Sequence, residues 1–403
     1  MALLYTDETP QPGMLVGRLR DTRRFELLKR LNDPKEKRSA WQAQDSTNGQ
    51  HVLVEIVPID LTPDESVFER EGTFLWKLAG YKEPFPPTTP PRADLHPGQR
   101  HCIAIVDAFS LPHPLEGDDE DEAFDGAVVT ELLGPSLREW QQRRPTPFFA
   151  IETVRQVAVQ LLLVLDHLHA SFASDNGRIA HLGVSLDSLR LATFVEQEQL
   201  EQDKPADLLQ LKLGSFGSAI RDGRLGEDMH HWPANLQTAA PEQLLLYEGY
   251  GRYGPARAAD IWAVGAVVSL LLFNKHLVLD DIDVSWLNDD QREKIRLYST
   301  SAEVIISLAS LNKDQCWPDF YTDSMLHNSD PGYPFNVPGV EPMPTLRERV
   351  EAEGKINNPA EVDKLVSFLG ACWTLDPYTR PSAKELLQYE WLAGVEQSGM
   401  RRG

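Results

Sequence analysis

Several small groups of residues have types and spacings that chemistry can use. The run GYGRYG (249–254) is a literal G-x-G-x-x-G, whose glycines in a dinucleotide site let backbone amides approach a pyrophosphate. It follows PEQLLLYE, a helical run rather than a strand, and no βαβ unit surrounds it, so it reads as an ordinary loop between helices. His230-His231 offer two imidazoles, but adjacent side chains point apart and no third ligand is near in sequence, so an exposed loop pair is expected. Cys102, Cys316 and Cys372 are too far apart for a disulfide framework or a zinc knuckle, which fits a reducing compartment. Cys372 and Trp373 sit in an apolar helical run and read as core. The acidic run EGDDEDE (116–122) reads as a solvated loop.

The elements around these groups change character along the chain. RFELLKRL (24–31), SAWQAQD (39–45) and HVLVEIV (51–57) are short β-type runs, with Asn48-Gly49 as a hairpin signal. A helix is expected over 64–79, with Thr62 as its N-cap and Pro63 at its first position. The Pro-rich stretch 82–98 reads as an exposed loop, and HCIAIVDAFSL (101–111) and GAVVTELLG (126–134) as buried strands. Long helical patterns follow over 147–171 and 258–273, and a third helical block runs from 359 to 392.

The 403 residues and 41% hydrophobic content suffice for one large or two moderate cores. No uninterrupted apolar stretch reaches the roughly 20 residues of a membrane span, and the N-terminus reads as lacking a secretory signal. The expectation is an intracellular protein, cytoplasmic and/or nuclear, without a membrane partner. A formal charge of −22 argues against a nucleic-acid binder, which needs a basic face. That charge favours solubility and admits a basic protein partner.

The order AAPE (239–242), ADIWAVG (259–265) and DPYTRPSAKELLQYEWL (376–392) resembles the eukaryotic protein kinase family over about residues 20–395. VVTELLGPSLREW (128–140), QLLLVLDHLH (160–169) and LKLGSFGSAI (211–220) look most like the SR-protein kinases of the fungal type. The resemblance implies an α+β, two-lobed fold. Its parts would be an extension (1–19), a small β-rich N-lobe (20–134), a larger helical C-lobe (135–395) and a tail (396–403). It also implies that Glu242 pairs with Arg380 and that Asp260 pins the catalytic-loop backbone. Leu75, Ile105, His181 and Phe216 match the family's regulatory stack of apolar residues.

Each catalytic part of that family has its own physical task. The phosphate-covering turn should be glycine-rich, yet LNDPKEKRSAW (31–41) has no glycine, and Pro34 lacks an amide donor. VLVE (52–55) sets Glu55 where a lysine should hold the phosphates. Glu71 matches the helix glutamate that pairs with that lysine, so the two carboxylates oppose each other unless one protonates or a cation intervenes. In HLGVSLDS (181–188), Gly183 replaces the aspartate base, Ser185 the lysine and Ser188 the metal-binding asparagine. In SFG (215–217), Ser215 replaces the magnesium-ligating aspartate, and a hydroxyl is a poor substitute for a carboxylate.

What the resemblance leaves is a vestigial nucleotide cleft of Leu53, Glu71, Thr130, Glu131, Leu133 and Arg190. Leu53 takes the place of a small alanine, and Arg190 that of an apolar floor residue. The leading expectation is a pseudokinase with no catalytic residue, metal or cofactor, acting as a binding, scaffold or regulatory module. Its expected ligand is a basic or arginine-rich protein. The alternative is an atypical or residually active serine/threonine kinase using ATP and magnesium, with Lys35 and Lys37 reaching phosphates and Asp187 as a metal ligand. A third reading is a binder of a different ligand in the remodelled cleft.

Overall fold

The computed structural model describes residues 10–17, 24–35, 38–58, 67–78, 96–113, 123–170, 178–192, 210–221, 238–243, 255–277 and 344–395. The acidic run 116–122, GYGRYG, His230-His231, Lys37, Cys316, the tail 396–403 and the Pro-rich stretch up to residue 95 lie outside them. Of the described residues, those within Met1–Leu95 and Cys102–Gly134, with Ala192, form one compact unit. Those within His96–His101, Pro135–Leu191 and Val195–Gly403 form the other.

The first unit is an antiparallel sheet with a helix on one face. Its strands are β1 (Leu15–Val16), β2 (Phe25–Arg30), β3 (Ser39–Asp45), β4 (His51–Pro58), β5 (Ile105–His113) and β6 (Ala123–Glu131). They pair in the order β1-β2-β3-β4-β6-β5. β1 falls in the range read from sequence as an extension. It adds an edge through Leu15 opposite Glu26 and Val16 opposite Phe25, and two residues are too few to show an alternating pattern. The β3–β4 turn contains Gly49 at φ +71°, where a side chain would be strained, and its N–H bonds the Asp45 carbonyl.

Alternation sends Trp41, Ala43, Val52, Val54, Ile56 and Val129 to one core face. The opposite face receives helix α1 (Val67–Leu78), which packs on β5 and β6.

The second unit is helical. Its helices are α2 (Leu137–Arg143), α3 (Ile151–Ala170), α4 (Ala256–Phe273), α5 (Leu346–Ala352), α6 (Pro359–Cys372) and α7 (Ala383–Leu386). Its ribbons join β7 (Ile179–Ala180) to β10 (Ile220–Arg221) and β8 (Leu189–Leu191) to β9 (Leu211–Leu213). Helix α4 is the axis, with every residue from Ala258 to Phe273 buried and α3 and α6 packed on it. Gly265 permits a close approach of Trp373, because a Cβ there would lie 2.6 Å from Trp373 Nε1.

Helices α2 and α5 are too short for an apolar period to announce. Their sequence signal is the capping box, Ser136 with Glu139 and Thr345 with Glu348.

Residues His96–His101 belong to the second unit although they precede residue 134. The His101 ring bonds the Leu211 carbonyl at 2.9 Å, and His96 Nε2 lies 3.2 Å from Asp166. Burial, with Arg100 and Lys212 adding to it, takes the His101 pKa down to about 4 against the opposing Leu211 carbonyl. His276, stacked on Trp373, is taken down to about 3 by burial and then by Arg349.

Both values lie below the ordinary histidine pKa of about 6.5, so on acidification the unfolded chain takes up protons that the folded chain refuses. Their contribution is intact above about pH 6.5 and is lost as the pH falls toward 4, about 2 kcal/mol per histidine between pH 7.5 and pH 5. Denaturant unfolding at those two pH values should show His276→Phe losing about 2 kcal/mol less than the parent. Equal losses in the two proteins would contradict this assignment.

Candidate functional site

In the first unit, Glu55 of β4 stands opposite Ala40 of β3 and Val128 of β6. Glu71 stands on α1 with Phe74, Leu75 and Leu78 at three, four and seven residues further on, so it occupies the helix's apolar stripe. It is only 2% exposed. A carboxylate buried there needs a partner.

Arg38 supplies it. Its Nη2 lies 3.0 Å from Glu55 Oε1 and 2.8 Å from Glu71 Oε2. Burial by itself would pull the guanidinium pKa down, but Glu71 and then Glu55 reverse this and hold it above the ordinary arginine value. The repulsion expected between two bare carboxylates is therefore replaced by a bridged trio with a net charge of −1. Sequence reasoning looked for substitute cations at Lys35 and Lys37 and missed Arg38. The available signal was strand period. Arg38 lies two residues before Ala40, the cross-strand partner of Glu55, and so shares its face.

The turn between β2 and β3 is closed on itself. Asn32 accepts from Ala40 N at 3.0 Å and from Arg30 Nε at 3.2 Å, and its amide donates to the Arg38 carbonyl at 2.6 Å. The Lys35 N–H bonds Asp33 Oδ1 at 2.9 Å, across Pro34. Two amides of the turn, those of Lys35 and Ala40, are thus spent on its own side chains. The Lys35 side chain is exposed.

Leu53 is half-buried opposite Thr130, whose Oγ1 is buried without a hydrogen-bond partner among the described residues. Glu131 accepts from Ala104 N at 2.7 Å, Leu133 and Leu75 are buried, and Ile105 pairs with Thr130.

In the second unit, Asp260 at the start of α4 fixes the loop 181–188. Its carboxylate accepts from His181 N at 2.8 Å and Leu182 N at 2.7 Å, and lies 3.0 Å from His169 Nε2. His181 is fully buried. Its Nδ1 accepts from Gly183 N, so Nε2–H donates to the Gly214 carbonyl at 2.9 Å. Burial keeps this imidazole below its usual pKa against Asp260 and that carbonyl. Its ring meets Phe216 edge-on at 4.7 Å.

Most of the positions that the resemblance matches to catalytic groups are engaged within the chain. Ser188 Oγ accepts from Ser185 N at 2.9 Å and donates to the Ser185 carbonyl, while Ser185 Oγ accepts from Ser188 N. Both serines are buried. Asp187 has both oxygens on Arg138 Nε, at 3.1 and 2.9 Å. Arg190, opposite Lys212, lies 3.6 Å from Glu139. Gly183 brings no side chain. Ser215 is exposed at φ +61° and Leu182 is at φ +56°, left-handed conformations that are costly for residues other than glycine. Magnesium chemistry does not fit this set. Two hydroxyls are turned inward, the carboxylate is held by a guanidinium, and among the described residues no three His, Cys, Asp or Glu groups converge.

Arg380 donates to both oxygens of Glu242, at 2.6 and 3.1 Å, and to the carbonyls of Ala258 and Thr374. It also lies over the Trp262 ring. Neither side chain of the pair is more than 2% exposed.

A family model described as a protein kinase domain matches residues 121–392, more than half of the chain.

Removing Arg380 leaves Glu242 buried and unpaired, a change that costs about 3–5 kcal/mol. Arg380→Ala should lower the melting temperature clearly, and Glu242→Gln should lower it as well, because it leaves the buried Arg380 guanidinium without a counter-charge. A melting temperature unchanged by Arg380→Ala would mean that the pair contributes nothing.

Proposed function

The chain belongs to the protein kinase family, and from that premise we propose that it is a pseudokinase, a binding, scaffold or regulatory module that does not transfer phosphate. The observation that carries this reading is the internal engagement of Ser185, Ser188 and Asp187, together with Gly183 where a base is required. Loss of a general base typically costs about 10²–10⁴ in rate, and loss of metal stabilisation several kcal/mol more. These losses are not additive, yet one alone cripples turnover.

Weak nucleotide binding accompanies the reading. Among the described residues of the covering turn the Lys35 and Ala40 amides are spent internally, and Leu53 and Arg190 enlarge the side chains at the positions matching the adenine slot. The charge argument is milder than bare carboxylates would make it, because Arg38 neutralises one of them. What remains unfavourable is a net negative trio with no lysine to hold phosphate.

Within the family, the texture of residues 128–140, 160–169 and 211–220 supports kinship with the SR-protein kinases. With the formal charge of −22, that kinship supports a basic or arginine-rich protein as the ligand of an intracellular protein. Such association weakens as salt rises, since exposed charges are screened beyond about 8 Å at physiological ionic strength.

Calorimetric titration with magnesium-ATP should give no dissociation constant below about 10 µM, and labelled γ-phosphate should not reach arginine-serine peptides. Incorporation of label would establish the residually active kinase instead. Binding of an arginine-serine peptide that salt leaves unchanged would remove the electrostatic account of the partner.

A further inference from the structure

The bridge between Glu55 and Glu71 does more than neutralise charge, because its three members come from three separate elements. Arg38 directly precedes β3, Glu55 is in β4, and Glu71 is on α1. The β3–β4 pairing is already fixed by backbone hydrogen bonds from Ser39 opposite Ile56 to Gln44 opposite His51. Helix α1, by contrast, meets the sheet through side chains. Among its described side chains Phe74, Leu75 and Leu78 are buried, and Gly72 lies close to Ala108. Arg38 adds a polar tie of 2.8 Å to Glu71, which shares that stripe.

We propose that Arg38 is a built-in clamp that holds α1 against the sheet in the absence of any nucleotide, so that the position of α1 in the first unit is set by the protein alone. Arg38 is a positioning residue in this account. Both of its carboxylate partners belong to the chain. The clamp is self-sufficient, because one guanidinium nitrogen reaches both carboxylates and needs no phosphate to complete the charge pattern. A simple Glu55→Lys change therefore does not recreate a lysine–glutamate pair, since it sets two cations on the one carboxylate of Glu71. The inference holds whether or not the chain transfers phosphate.

Hydrogen exchange on the full chain without nucleotide tests it, with the α4 amides as internal control. Arg38→Ala should cut protection of the α1 amides about tenfold or more relative to α4, whereas Arg38→Lys should keep most of it. Glu55→Lys alone should also lower protection. The exchanged pair, Arg38→Glu with Glu55→Lys, rebuilds one cation between two carboxylates and should return α1 to within about threefold of the parent.

Unchanged α1 protection in Arg38→Ala, or an exchanged pair no better than the worse single variant, would overturn the clamp. If Arg38→Ala unfolds the first unit outright, the exchanged pair still decides, because recovery requires the charge arrangement and not the arginine itself. Magnesium-ATP added to the parent should leave α1 protection unchanged, and a tenfold rise would show that the clamp is incomplete without nucleotide. Transfer of γ-phosphate, by contrast, would remove the pseudokinase reading and leave these exchange results standing.

Discussion

A single buried carboxylate, Asp260, sets the backbone of the loop on which the family's chemistry is normally built. It takes N–H groups from two successive residues, His181 and Leu182, and faces the His169 ring. Hydrogen bonds to a charged acceptor are the strong ones, and a buried charge left short of donors is expensive. The loop is therefore held whether or not it has chemistry to perform. Leu182 is kept at a positive φ, and His181 is placed to cap Gly214 and meet Phe216. None of these contacts uses a side chain at Gly183, which sits in their midst.

The same separation of scaffold from chemistry appears in the turn 185–188. Ser185 and Ser188 satisfy each other's backbone amides and bury their hydroxyls. Lysine and asparagine at those positions would reach outward to a phosphate or a metal. The serines reach inward, replacing ligand contacts with local ones that need no ligand. Arg38 follows the same logic in the first unit, where a chain-derived cation stands between Glu55 and Glu71. In each place the polar group is satisfied by a partner within the protein.

The ion pair of Glu242 with Arg380 works on a longer scale. Its guanidinium also reaches the Ala258 and Thr374 carbonyls and covers Trp262, so one side chain gathers the segment 241–243, the head of α4 and the turn after α6. With Gly265 allowing Trp373 against α4, this ties the core of the second unit around its most apolar helix. Such a pair adds little net stability beyond apolar packing of the same volume, but removing half of it is severe.

The sequence by itself determined the element types, because period and composition act locally. The β-type runs at 25–30, 39–45 and 51–58 and the helices at 151–170 and 256–273 carry their patterns on their faces. The proposed loss of catalytic groups at Glu55, Gly183, Ser188 and Ser215 likewise rests on residue identity read through the family resemblance. Short elements were not legible. β1 has two residues, and α2 and α5 too few turns for an apolar stripe. Nor was the fate of the substituted positions. That Ser185 and Ser188 pair with each other, that Asp187 is taken by Arg138, and above all that Arg38 reaches both Glu55 and Glu71, depends on distances between residues up to 49 positions apart. Charge in a sequence is additive along the chain, but its energy depends on separation and burial, and only the tertiary structure fixes those.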